Sequence, residues 1–234
     1  MAITHDATTT AAYDSDAQQT IAHTTTTSLN RIMVVGVTVD SDDIVSQIAY
    51  NGTNLTQGGE INVSGDGTHY SVEIWYLVDP STGNNNLTVT LSDSDDFGVA
   101  IATYYDTANS TWTKDLDDIY GAGPTQTVQL SFTTGGDNAL IVAMTGDSED
   151  AADFRTAEAN TNERADFITG EGAGDFGGWL GDKVLPSTGA TTIGYTTGGD
   201  VTYSGVVVSF VPSGGAVSTA VSDLISPGII ASPR

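Results

Sequence analysis

The side chains best equipped for chemistry in this chain are carboxylates, and they come in clusters. Asp40, Asp42 and Asp43 follow one apolar run, Asp147, Glu149 and Asp150 follow another, and Asp93, Asp95 and Asp96 fill a third segment. Loop carboxylates spaced one or two residues apart supply hard oxygen ligands. Asp40, Asp42, Asp43, Asp147, Glu149 and Asp150 are therefore the candidate ligands for a Ca²⁺ or Mg²⁺ ion, the one cofactor class the sequence suggests. None of these clusters matches the twelve-residue loop with Gly at its sixth position and Glu at its twelfth. With 30 acidic residues in the chain, solvated acidic loops give the same clustering, and that reading stays open beside the first.

Other chemistries find less. Glu73 stands two residues from Trp75, on the same face of a strand. Glycoside hydrolysis needs a second acid across a groove with a separated pKa, and a polar-out position beside an aromatic is ordinary sandwich surface. His5, His23 and His69 lie far apart, and His23 aligns with Phe132 in the duplication described below, so it is expected to fill a strand position. No nucleophile elbow, dinucleotide fingerprint or phosphate loop is present. The absence of cysteine removes disulfides, thiolate metal sites and cysteine nucleophiles together. Trp75, Trp112 and Trp179 are either core residues or a sugar-stacking platform. The expectation is a protein that is not an enzyme.

The elements that would position these residues are strands. Val72, Ile74, Tyr76 and Val78 alternate with Ser71, Glu73, Trp75 and Leu77, and Val128, Leu130 and Phe132 alternate with Thr127, Gln129 and Ser131. The runs 32–39 and 140–144 are apolar on both faces, which predicts central strands covered on both sides. Between the runs stand turn formers: Asn51-Gly52, Gly58-Gly59, Gly135-Gly136-Asp137 and Gly198-Gly199-Asp200. Many short strands with frequent turn signals predict an antiparallel β-sandwich or jelly roll.

The pattern is written twice. Val78-Asp79-Pro80-Ser81-Thr82-Gly83 returns as Val184-Leu185-Pro186-Ser187-Thr188-Gly189, a shift of 106 positions. Asn30-Arg31-Ile32-Met33 matches Asn138-Ala139-Leu140-Ile141, Asp40-Ser41-Asp42-Asp43 matches Asp147-Ser148-Glu149-Asp150, and 98–105 matches 204–211. A period this long means one β module used twice. The predicted units are a first β-sandwich repeat at 1–110, a second at 111–212, and a C-terminal tail at 213–234, with the two pseudo-equivalent halves in close contact. In the tail, Val217, Val221, Leu224 and Ile225 have helical spacing up to Pro227-Gly228. With Ile229 and Ile230 they are the candidate oligomer contact.

The chain carries 6 basic and 30 acidic residues, a net charge of -24, with 24 Asp, 6 Glu and only 2 Lys. Such a surface repels phosphate and anionic lipid, so neither nucleic acid nor a membrane is an expected partner. Asp in excess over Glu with almost no Lys is the composition of a protein adapted to molar salt, where self-repulsion is screened. An acidic surface protein at ordinary salt is the alternative. The opening Met1-Ala2-Ile3-Thr4-His5-Asp6 lacks the pattern of a secretory signal, and no apolar run spans a bilayer. Glycosylation sequons stand at Asn51, Asn54, Asn62, Asn86 and Asn109.

Residues 30–37, then Ala49-Tyr50-Asn51-Gly52-Thr53-Asn54-Leu55-Thr56, then 72–83, resemble a widespread β-sandwich family. Its members occur in large bacterial extracellular proteins and, as stand-alone chains, among viral structural proteins. The opening of this chain is similar to the stand-alone kind. The resemblance covers residues 1–212, rests on core and turn residues, and implies a fold but no catalytic residues. With the unprocessed start, the duplicated all-β module, the absence of cysteine and catalytic motifs and the salt-adapted composition, the expectation is a virion surface protein: a capsid decoration, turret or spike component of a tailed virus with a halophilic host. Its partners would be copies of itself and virion proteins such as the major capsid protein. The competing expectation is a carbohydrate-binding or adhesive cell-surface module, with host-surface glycans as partners.

Overall fold

The structure is a computed structural model that describes residues 3–41, 44–65, 68–106, 112–147, 155–169 and 176–212. Strands β1 (Ile3–Thr25), β2 (Arg31–Val39), β3 (Val45–Tyr50), β4 (Thr53–Asn54), β5 (Thr56–Gly65), β6 (Thr68–Val78) and β7 (Gly83–Asp106) form one antiparallel sheet. Strands β8 (Trp112–Thr133), β9 (Ala139–Asp147), β10 (Arg155–Ala157), β11 (Asn162–Ile168), β12 (Gly177–Leu185) and β13 (Ala190–Pro212) form the other. The first has the order β4-β3-β7-β2-β6-β5 with β1 on β7, and the second has β10-β13-β9-β12-β11 with β8 on β13. Each repeat thus closes its own hydrogen-bond ladders.

The ladders carry the duplication. Ile32 pairs with Val78 and Tyr104, and Leu140 pairs with Val184 and Phe210. Asn30 and Asn138, each just ahead of its central strand, both have φ of 55°. The Asn51-Gly52 turn joins β3 to β4 with φ of 47° and 77°, the left-handed pair that a two-residue hairpin requires. One detail of the sequence alignment needs correction. Val39 faces Ser71 and Phe97, while Asp147 faces Gly177 and Tyr203. The counterpart of 32–39 is therefore 140–147, and the two acidic tetrads are out of step by one residue. Register decides this, because a one-residue slip would turn every side chain to the opposite face.

Four strands are much longer than the turn formers predict: β1, β7, β8 and β13. The Gly198-Gly199-Asp200 and Gly58-Gly59 signals sit at register shifts inside β13 and β5 rather than between strands. A bulge lets a strand bend sharply without ending. The bends fold each sheet over itself. Met33, Val35 and Val37 of β2 pack with Ile48, Tyr50, Leu87 and Val89 in a core inside the first repeat. Ile141 and Ala143 of β9 pack with Leu130, Trp179 and Tyr195 in a core inside the second. The alternate side chains, Ile32, Val34, Leu140 and Val142, meet in a third core between the repeats. Central strands β2 and β9 are buried along their whole length, as their two-faced apolar runs require.

Across that central interface, equivalent positions face one another. A Cβ on Gly36 would lie 2.5 Å from the Met144 sulfur, and one on Gly146 would lie 3.4 Å from Thr38 Cγ2. Gly36 is the counterpart of Met144, and Thr38 of Gly146. The repeats are therefore related by a pseudo-two-fold running along the strands, and each fills space its counterpart leaves.

Candidate functional site

Because that axis runs along the strands, the acidic ends of both repeats lie at the same end of the molecule. Asp40 follows β2 there and is half-buried, and its backbone N–H donates to the Asp96 carbonyl at 2.9 Å, which brings the Asp93–Asp96 bend alongside. Asp147 ends β9 at this end too. Asp42, Asp43, Glu149 and Asp150 lie outside the described residues. Among the described residues, no three His, Asp or Glu side chains gather as a metal-ion cage.

Asp147 is buried and its carboxylate is engaged on both oxygens. Arg155 donates to it from Nε at 2.8 Å and from Nη2 at 2.6 Å, and the Tyr195 hydroxyl donates at 2.5 Å. Arg155 also donates from Nη1 to Asp166, and its guanidinium lies 5.9 Å from the Tyr195 ring centroid. Burial opposes the guanidinium charge, and the adjacent Asp147 carboxylate outweighs that, so its pKa is raised. Burial, then the Asp147 charge, pushes the Tyr195 hydroxyl well up. Burial likewise raises the Asp166 carboxyl despite Arg155. Geometry of this kind holds β9, β10, β11 and β13 together.

A second network bridges the repeats. Tyr104 of β7 donates to Asp182 Oδ2 of β12 at 2.8 Å, Asn162 donates to Oδ1 at 2.8 Å, and Arg164 grips the same carboxylate through Nε and Nη2. At the pseudo-equivalent point stand Phe210 and Tyr76, whose rings meet edge-on at 5.1 Å. Pseudo-equivalent positions thus hold an ion-paired cluster on one side and an aromatic pair on the other. The network joins residues distant in sequence, and no local signal in the sequence marks it.

The expectation of Glu73 at the surface is overturned: its residue exposure is 0%. The outer face of β6 is covered by the bent layer of its own repeat. Glu73 Oε2 accepts from Trp75 Nε1 at 2.7 Å and from Gln57 at 3.2 Å. The three tryptophans do not form an exposed platform, since Trp112 and Trp179 are buried and Trp75 is half-buried. Trp179 occupies the position equivalent to Glu73, and its ring fills the space over Gly181, where a Cβ would meet it at 2.1 Å. His23 fills a buried strand position in the first repeat, as its alignment with Phe132 predicts.

The opposite end of the molecule has another character. Turns holding Pro80 and Pro186 lie here, and Arg31 clasps the first by donating to the Pro80 carbonyl at 3.0 Å and pairing with Asp79 at 2.5 Å. Leu29 and Val184, the large apolar residues most exposed among those described, are both at this end, at 74% and 41%. So is a shallow groove of about 350 Å³ lined by Ser131, Phe132, Thr133, Ala190, Thr191 and Thr192. Pro212, the last described residue, is also here, and Val217, Val221, Leu224, Ile225, Ile229 and Ile230 lie outside the described residues. No known family profile matches this chain, and no curated protein does.

Proposed function

We propose that this protein is a non-enzymatic surface component of a virion, a decoration, turret or spike protein of a tailed virus whose host lives in high salt. It is held to the particle by its turn end, with the acidic end outward. The observation that carries this reading is the polarity of the molecule. Exposed apolar side chains, the groove and Pro212, the last described residue, share one end, while Asp40 and the Asp93–Asp96 bend lie at the other. The buried charged residues Asp147, Arg155, Asp182 and Glu73, with Arg164 beside them, are committed to partners that fasten the fold. That is the use a scaffold makes of them. The net charge of -24 suits an outer surface in concentrated salt, where such repulsion is screened.

The test is to raise antibody against the purified chain and probe particles banded on a density gradient from a halophilic host culture. Co-banding with the major capsid protein and surface gold labelling are expected. Label confined to cell envelopes would overturn the reading in favour of an adhesive module. Assembly is tested separately by ending the chain at Gly215. If 216–234 make the contact, the shortened protein remains folded but loses self-association and particle binding.

A further inference from the structure

His23 is the counterpart of Phe132, yet its imidazole bonds through both nitrogens. It lies on the second half of β1, which runs in the outer layer of the first repeat against the first part of β7. Its ring crosses to the inner layer, with Nδ1 2.9 Å from Thr9 Oγ1 on the first half of β1 and Nε2 2.5 Å from Thr103 Oγ1 on β7. The residue is 1% exposed. The Tyr50 ring of β3 stands edge-on to it at 6.4 Å and donates its hydroxyl to the His23 carbonyl at 3.1 Å.

We propose that His23 is an acid-sensitive clasp joining the two layers of the first repeat, and that its protonation loosens them while the second repeat stays closed. A neutral imidazole has one N–H and one lone pair, so one threonine hydroxyl accepts from it while the other donates to it. Adding a proton makes both nitrogens donors, and the donating hydroxyl must turn away. The new cation then sits in a buried site with only threonine oxygens for partners, an arrangement that low-dielectric surroundings penalise. Among the described residues, the charged and titratable groups around it do not supply a counter-ion in contact. Asp6 on β1 attracts it from a distance with Oδ2 accepting from the Thr26 backbone at 2.9 Å, His5 on β1 repels it, and Tyr50 on β3 points its hydroxyl at the His23 carbonyl rather than at the ring. On balance burial holds the ring neutral down to about pH 4, against an ordinary 6.5. The second repeat has Phe132 at this point and no group to protonate.

Hydrogen exchange read by mass spectrometry at about pH 7 and about pH 4, corrected for intrinsic rates, tests the clasp on the full chain. Segments 17–25 and 83–91 are expected to lose roughly tenfold or more in protection relative to 125–133 and 190–197. The substitution His23→Phe, which copies the second repeat, is expected to abolish that difference. Equal loss in both repeats, or the same selective loss in His23→Phe, overturns the proposal. Should the variant fail to fold, the imidazole ¹³C resonance of His23 in the unaltered chain decides. Its titration midpoint must coincide with the loss of protection, and a ring still neutral after the layers have opened sinks the idea.

Discussion

Arg155 is the side chain whose removal leaves most behind. Replacing it by Met would strand Asp147 and Asp166 in the interior, and breaking a buried pair from one side costs about 3–5 kcal/mol. Urea titration of Arg155→Met should show a loss of that order, and a loss below about 1 kcal/mol would mean the pair is solvated. Tyr104→Phe is the milder companion. It removes a hydroxyl donor to Asp182 at a place where the other repeat already carries Phe210, so about 1–2 kcal/mol is expected. His23 adds a pH dependence whose sign follows from its depressed pKa. Below about 6.5 the unfolded chain binds a proton that the folded chain refuses until about 4, so stability falls across that window as pH drops. The shift corresponds to about 3 kcal/mol at most, read as the difference between wild type and His23→Phe in denaturation at pH 7 and pH 4. At this scale the sequence was only partly legible. Alignment of His23 with Phe132 located a buried strand position, but nothing local marks Asp147 as the partner of Arg155, because the bond depends on the bend that brings β10 onto β13. Glu73 misled for the same reason: alternation told which face it occupies, and only the folded-over layer determines that this face is covered.

Among the elements, β2 and β9 were the most legible, since a strand apolar on both faces has to be buried on both. The long strands were the least, because Gly-rich and Asp-rich stretches signal a bulge and a chain reversal with the same residues. The contact between β2 and β9 makes its own prediction. Gly36 leaves the space that Met144 fills, with the Met144 sulfur 2.5 Å from where a Cβ would be. Gly36→Val should therefore overpack the central core and cost about 1–3 kcal/mol. Combining it with Met144→Ala, which alone opens a cavity costing about 2–5 kcal/mol, should give a double variant well short of the sum. Simple additivity in a denaturant-based double-mutant cycle would mean the two positions do not meet, and the pseudo-two-fold packing would fall with it.

For the whole molecule, charge and fold pull against each other. The repeats bury a continuous set of apolar residues on either side of β2 and β9, but the surface around them carries most of a net -24. Three of the six basic residues, Arg31, Arg155 and Arg164, are spent in ion pairs within the fold, so they screen the outer carboxylates poorly. Asp40 lies alongside the Asp93–Asp96 bend, which shortens the distances over which like charges repel. At about 0.01 M salt the screening length is about 30 Å, comparable with the molecule, while at about 1 M it is about 3 Å and only adjacent charges interact. Melting temperature should therefore climb steeply with NaCl over the dilute range, where screening changes most, and flatten toward 1 M. Sucrose at matched osmolality, which strengthens burial without screening, separates this from a general solute effect. A curve that sucrose reproduces, or one flat in NaCl from low salt upward, would show that repulsion among the carboxylates does not limit the fold, and the proposal of a high-salt host would lose its physical basis.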